Sequence, residues 1–156
     1  MIYGRLTVAL WLVSLALGEQ PIPFSHKKHM SLSLKCSDCH NNTDPVETMT
    51  FPLVSKCMLC HVEVAKDRPE IQKLARYAKL KQEVPWVTVG KIPDWVYWSH
   101  GVHLEAGAKC SDCHGDVATM DVMVRSTSVT TMGGCVACHQ NSKAPTGCLS
   151  CHEGKH

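Results

Sequence analysis

The feature that most constrains this chain is the pattern Cys-x-x-Cys-His, which occurs five times and uses every cysteine present. We number the copies as sites 1 to 5, at 36–40, 57–61, 110–114, 135–139 and 148–152. Their cysteines are Cys36, Cys39, Cys57, Cys60, Cys110, Cys113, Cys135, Cys138, Cys148 and Cys151. Their histidines are His40, His61, His114, His139 and His152. With only 2 Phe and 3 Tyr in 156 residues, side chains alone cannot fill an interior, so these cysteines are expected to anchor something that does.

This pattern is the attachment signature of c-type haem. Two cysteines three positions apart lie on one side of a helical turn, where each can form a thioether with one vinyl group of a porphyrin. The histidine that follows then stands beside the iron and becomes its proximal ligand. The sequence therefore predicts five covalently bound haems, each with its iron.

Three other uses of paired cysteines explain the pattern less well. Disulfides give no reason for a histidine after every pair, and five such placements by chance would be on the order of one in a million. Zinc would need a fourth ligand for each Cys-Cys-His set, and zinc sites more often divide their pairs between two loops. Thioredoxin-like chemistry needs a single pair in a βαβ context.

The remaining five histidines match the five distal positions that five haems would have. They are His26, His29, His100, His103 and His156. Ten histidines for ten axial positions are read most simply as two imidazoles on every iron. Methionine is the rival distal ligand, but the 7 Met residues recur at no fixed offset from the pattern.

The spacing of the distal histidines limits their assignment. His26 and His29 are three positions apart, so they point the same way from a helical turn and must serve two neighbouring irons. We expect His26 to bind at site 1 and His100 at site 3, while His29 and His103 each reach another haem. His156 follows site 5 by four residues, which extend about 14 Å at most, so it belongs to a different haem or to one in a neighbouring chain.

The chain contains an imperfect duplication. Residues 24–42 align without gaps on 98–116, a shift of 74 positions. The Lys, Ser and Asp of the repeated "KCSDCH" are expected to carry little chemistry and mainly to record this duplication. We predict a first module with two haems at 19–66, a linker at 67–97 and a second module with three haems at 98–156.

The linker begins with a predicted short helix. Asp67 is the expected N-cap, followed by Pro69 in the first turn and Glu70 three positions after the cap. Its apolar stripe is expected to comprise Ile71, Leu74, Tyr77 or Ala78, and Lys81. Prolines exclude a regular central strand from the rest. The aromatic cluster there is either an interaction patch or packing against haem faces, and consists of Trp86, Trp95, Tyr97 and Trp98.

The first residues predict export. A basic start precedes an apolar run at 6–17, and the small residues Ala16 and Gly18 suit cleavage after Gly18. This run, interrupted only by Thr7 and Ser14, is twelve residues long, which is too short for a membrane anchor, since one needs roughly 20. We therefore predict a cleaved signal peptide at 1–18, a periplasmic or extracellular location and no direct membrane span. The charge, with 16 Lys+Arg against 14 Asp+Glu, gives no reason to expect nucleic acid.

The segments "FSHKKH…CSDCH" and "WSHGVH…CSDCH" resemble the opening of class III cytochromes c, of the c3 and c7 type. The stretch from "VPWVTVGKIPDWVYWSH" through "MGGCVACH" is similar to the multihaem cytochrome subunits of alternative complex III and of menaquinone reductase complexes. The resemblance covers nearly the whole chain after the leader. It implies electron transfer by bis-histidine haems in a periplasmic carrier or a respiratory-complex subunit.

These observations predict a small, mostly irregular chain in which short α-helices wrap around five covalent haems, with little or no β-structure and two c7-like modules. Irons with both axial positions filled are limited to one-electron steps, which favours an electron-transfer protein over an enzyme. The partners would be redox proteins or a membrane quinone oxidoreductase complex. A subunit of an extracellular cytochrome filament, which would self-assemble, is the alternative, and a multihaem reductase with an open haem is less favoured.

Overall fold

The computed structural model of the chain describes residues 20–41, 49–123 and 129–152, so the predicted leader and His156 lie outside the described part. Within these ranges the chain is helical or irregular and has no strand, which confirms the predicted fold class. The helices are α1 (His26–Met30), α2 (Cys36–Cys39), α3 (Val54–His61), α4 (Pro69–Leu80), α5 (His100–Glu105), α6 (Cys110–His114), α7 (Met132–Asn141) and α8 (Cys148–His152). A 3-10 turn, Val117–Thr119, follows α6. None of the helices in these ranges is long and apolar enough to cross a membrane.

The two copies of "KCSDCH" form α2 and α6, and the aspartate of each copy caps its helix. The backbone N–H of Lys35 donates to Asp38 Oδ2 at 2.7 Å, and that of Lys109 donates to Asp112 Oδ2 at 2.8 Å. An acidic side chain in the first turn also interacts favourably with the helix dipole. The expectation that this aspartate mainly records the duplication is therefore wrong, because its side chain fixes where each helix starts.

Helices α1 and α5, which carry the histidines predicted as distal ligands, each have a serine as N-cap. Ser25 Oγ accepts from the N–H of Lys28 at 3.2 Å, and Ser99 Oγ accepts from the N–H of Gly101 at 3.1 Å. A serine at the N-cap satisfies an N–H group that the helix leaves open. The Ser-His pair of each copy thus sets the start of a helix and the direction of its histidines.

The linker helix α4 begins one residue later than the sequence suggests. Arg68, not Asp67, is the N-cap, because Pro69 occupies the first helical position, where its fixed φ and missing N–H fit best. Lys81 was expected in the apolar stripe, but it is exposed and ends the helix in the left-handed conformation with φ 53°. Leu74 is buried, and the other predicted members of the stripe are partly buried.

Side chains form only one small core in the described part of the chain. Its buried members are Ile22, Val54, Leu74 and Val84. They come from the N-terminal segment, α3, α4 and the segment after α4, so the linker helix packs back onto the first module. Outside this core, large apolar residues are exposed even within the cysteine pairs, such as Leu59 at 72% and Leu149 at 67%. The chain thus exposes apolar surface beside the sites, which a bound apolar group would cover.

Candidate haem-binding sites

Histidines that are distant in sequence meet in four pairs. The ring centres are 6.5 Å apart for His26 and His40, 6.0 Å for His29 and His61, 6.3 Å for His100 and His114, and 6.1 Å for His103 and His139. Each pair joins one histidine of α1 or α5 to the last residue of a Cys-x-x-Cys-His site. Sites 1 to 4 therefore each have a second imidazole facing their own.

The spacing of these pairs fits two ligands on one metal ion. An imidazole nitrogen binds a first-row metal ion at about 2.0 Å and its ring centre lies about 1.1 Å further back, so two rings on one ion would have centres about 6.2 Å apart. All four distances lie close to this value. No group of three or more His, Cys, Asp or Glu residues in the described part could hold a metal ion. Two facing imidazoles can fill the two axial positions of an iron porphyrin, whose ring nitrogens supply the other four ligands.

Hydrogen bonds orient five of these rings. The Nδ1 atom of each lies 2.6–2.9 Å from a backbone carbonyl oxygen, to which it donates in the tautomer with Nδ1–H. This bond leaves Nε2 deprotonated and free to bind iron, as second-shell carbonyls do at other metal sites. The carbonyl oxygen belongs to Ser25 for His29, to Thr50 for His40, to Val64 for His61, to Ser99 for His103 and to Pro145 for His139.

Burial favours the neutral form of two further ligand candidates. Burial lowers the pKa of His26, and the nearby rings of His40 and His29 lower it further. Burial also lowers the pKa of His114, with His40 as the second cause. Because only a deprotonated nitrogen can bind a metal ion, these environments are suited to ligation.

No two cysteines in the described part of the chain are joined by a disulfide. All ten lie in the described ranges and all are free thiols. Burial first, and the charge of a neighbouring thiolate second, raise the pKa of four of them. The neighbouring thiolate is that of Cys39 for Cys57, of Cys36 for Cys110, of Cys138 for Cys113 and of Cys151 for Cys135.

An aromatic ring packs against the histidines of each of the helices α1 and α5. Phe24 stacks on His29 at 4.3 Å, and Trp98, its counterpart in the second copy, lies 5.6 Å from His103 with the planes 27° apart. The predicted aromatic cluster therefore divides. Trp98 packs against histidines and Trp86 joins the small core, whereas Trp95 and Tyr97 are 69% and 57% exposed.

Sequence reasoning anticipated most of this arrangement but not all of it. The structure brings together the rings expected at sites 1 and 3, and it places His29 at site 2 and His103 at site 4, a choice that the spacing alone left open. The duplication was the available signal, since the same helix would serve the first two sites of each module. At site 5, His152 is described, whereas His156 lies outside the described residues.

The chain is similar to two families of cytochromes and to one characterised protein. Residues 96–156 match the family model of cytochrome c7 and related cytochromes c, and residues 13–84 match that of the class III cytochrome c family. The chain is also similar to the menaquinone reductase multihaem cytochrome c subunit of Nitratidesulfovibrio vulgaris (strain Hildenborough). The two are 30% identical in an alignment 162 positions long, gaps included, that spans 86% of this chain and 77% of that protein.

Proposed function

Since this chain belongs to the multihaem cytochromes c of the class III and cytochrome c7 type, an electron-transfer family, we propose that it binds five haems with two histidine ligands on every iron. The observation that carries this proposal is the set of four ring pairs with centres 6.0–6.5 Å apart. Each pair includes the histidine of a site whose two cysteines are free to form thioethers.

The proposed axial ligands follow from these pairs. They are His26 and His40 at site 1, His29 and His61 at site 2, His100 and His114 at site 3, and His103 and His139 at site 4. His152 is the proximal ligand at site 5. His156 is the tenth proposed ligand, in this chain or to a haem of a neighbouring copy.

Haem, when bound, supplies an iron that exchanges one electron between its ferrous and ferric forms without making or breaking a bond. The chain holds that iron in place. Its cysteines attach the porphyrin, its histidines fill both axial positions and so exclude substrates, and backbone carbonyls fix the imidazoles. Each part serves electron transfer and none provides an open position for bond chemistry.

The partner is proposed from the relative. That protein is named as a subunit of menaquinone reductase, so we place this chain within or beside a membrane quinone oxidoreductase, on the exported side where c-type haem is attached. We further propose that the chain consists of two haem-binding modules, at 19–66 and 98–156, joined by a linker at 67–97. Tagged protein isolated in mild detergent should retain such a complex, whereas recovery of the chain alone from the periplasmic fraction would identify a free carrier.

The ligand assignment is tested on purified protein carrying its haems. The intact mass should equal the mature chain plus five haems, and the reduced wild-type protein should not bind carbon monoxide. His100→Ala should leave all five haems attached but make one of them five-coordinate and reactive to carbon monoxide. Val102→Ala, an exposed change in the same helix, should leave every haem unreactive. No reactive haem in His100→Ala, or two, would contradict the assignment at site 3.

A further inference from the structure

Each of the helices α1 and α5 carries histidines that face two different sites. Helix α1 carries His26 and His29, whose rings face sites 1 and 2. Helix α5 carries His100 and His103, whose rings face sites 3 and 4. Residues three apart lie about one helical turn from each other, so the two sites of each pair must be neighbours.

Contacts of helix α1 connect the pair of sites 1 and 2 to the pair of sites 3 and 4. Helix α1 packs against the 3-10 turn that follows site 3. The N–H of Lys27 donates to the carbonyl of Met120 at 3.0 Å, and Ser25 Oγ donates to Asp121 Oδ1 at 2.7 Å. The helix that carries the histidines facing sites 1 and 2 is thus attached to the segment directly after site 3.

Equivalent residues of the two repeats lie next to each other. Cys36 lines the same cavity of about 280 Å³ as Lys109, Cys110 and Ser111. Cys36 and Cys110, which occupy the same position in the two copies of the repeat, thus lie together at this cavity. His40 is likewise a neighbour of its counterpart His114. Equivalent residues meet in this way where two copies are related by an approximate two-fold axis.

Site 5 is held next to the second pair of sites by contacts of its cysteine Cys151. The N–H of Tyr97, just before α5, donates to the carbonyl of Cys151 at 2.6 Å. Cys151 is also a neighbour of Cys135, the first cysteine of site 4. The carbonyl of Pro145, which lies between the two sites in sequence, accepts the bond from His139. Site 5 therefore lies beside site 4.

We propose that the five sites follow one another in space in the order 2–1–3–4–5, with sites 1 and 3 forming the contact between the repeats and sites 2 and 5 forming the two ends. This inference rests on the proposed function, because it assumes a haem at every site. It deepens that function by naming the ends. A donor and an acceptor that dock at sites 2 and 5 would use the whole length of the molecule, and sites 1 and 3 would be internal to the path.

The order can be tested by proton NMR on the wild-type protein with its haems fully reduced. Low-spin ferrous iron is diamagnetic, so each haem gives sharp signals that can be assigned through the β-protons of its own cysteines. Nuclear Overhauser contacts between haems are expected for sites 1 and 2, 1 and 3, 3 and 4, and 4 and 5. Contacts of site 1 with site 4 or 5, and none with site 3, would overturn the order.

Stepwise oxidation provides a second measurement on the same sample. When the haem at site 1 becomes ferric, its unpaired electron should also shift the methyl signals of the other four haems. These shifts should be largest at sites 2 and 3 and smallest at site 5. Larger shifts at site 5 than at site 3 would overturn the order. Failure of the proposed function would look different, because the reduced spectrum would then show fewer than five sets of haem signals or a paramagnetic ferrous haem.

Discussion

Phe24 lies nearly face to face on His29, with ring centres 4.3 Å apart and planes 23° apart. It also meets the edge of the His26 ring at 4.8 Å. One half-buried aromatic side chain therefore supports the distal ligands proposed for two different irons. Trp98 has the same two neighbours in the second copy of the repeat, His100 and His103.

Phe24→Ala should loosen both histidines at once. Loss of the aromatic contacts and of partial burial should lower the free energy of unfolding of the haem-loaded protein by about 2 kcal/mol. Guanidinium denaturation followed by haem absorbance would measure this loss. Phe24→Trp is the matched control, because the second copy already has tryptophan there, and it should retain most of the stability. Equal damage by both substitutions would contradict this role.

The angle between the paired rings should be visible by electron paramagnetic resonance. The planes are 12° and 11° apart at sites 1 and 3, but 60° and 48° apart at sites 2 and 4. Tilting two imidazoles on a ferric iron brings its partly filled d orbitals closer in energy and raises the largest g value. The oxidised protein should therefore show two classes of low-spin signal among sites 1 to 4.

Two ligand variants assign these classes. His29→Ala should remove one low-spin signal from the class with the higher g value, whereas His26→Ala should remove one from the other class. A spectrum with a single class, or loss of the same signal in both variants, would be incompatible with the ring geometry.

The small core should be sensitive to a single truncation. Leu74 is 5% exposed and is one of four buried apolar side chains in the described residues. Leu74→Ala should lower the free energy of unfolding by about 2–4 kcal/mol. Leu80→Ala changes a residue of the same helix that is 64% exposed, and it should cost less than about 0.5 kcal/mol. Similar losses in both variants would show that α4 does not pack as described.

The chain should not fold without its haems. So few buried apolar side chains cannot offset the conformational entropy of ordering the chain. The mature chain made in the cytoplasm, where haem is not attached, should give poorly dispersed NMR spectra and no cooperative thermal transition. A sharp transition in this apoprotein would show that side-chain packing suffices.

The sequence predicts this architecture to the extent that covalent chemistry determines it. The five patterns indicate what is bound, and the three-residue spacing of His26 and His29 indicates that one helix serves two irons. Which second iron each helix reaches depends on how segments far apart in sequence pack, and local spacing carries no information on that. Likewise, the cap of α4 moved from Asp67 to Arg68 because a proline requirement outweighed a side-chain preference. The role of Asp38 was missed because its partner is the backbone.

The contact between Cys36 and Cys110 resembles the centre of a homodimer, yet both halves belong to one polypeptide. Two separate chains that met in this way would come apart on dilution, since their association depends on concentration. Within one chain, each repeat experiences the other at a fixed, high effective concentration. The electron path proposed through this junction should therefore persist even in a compartment that contains only a few copies of the protein.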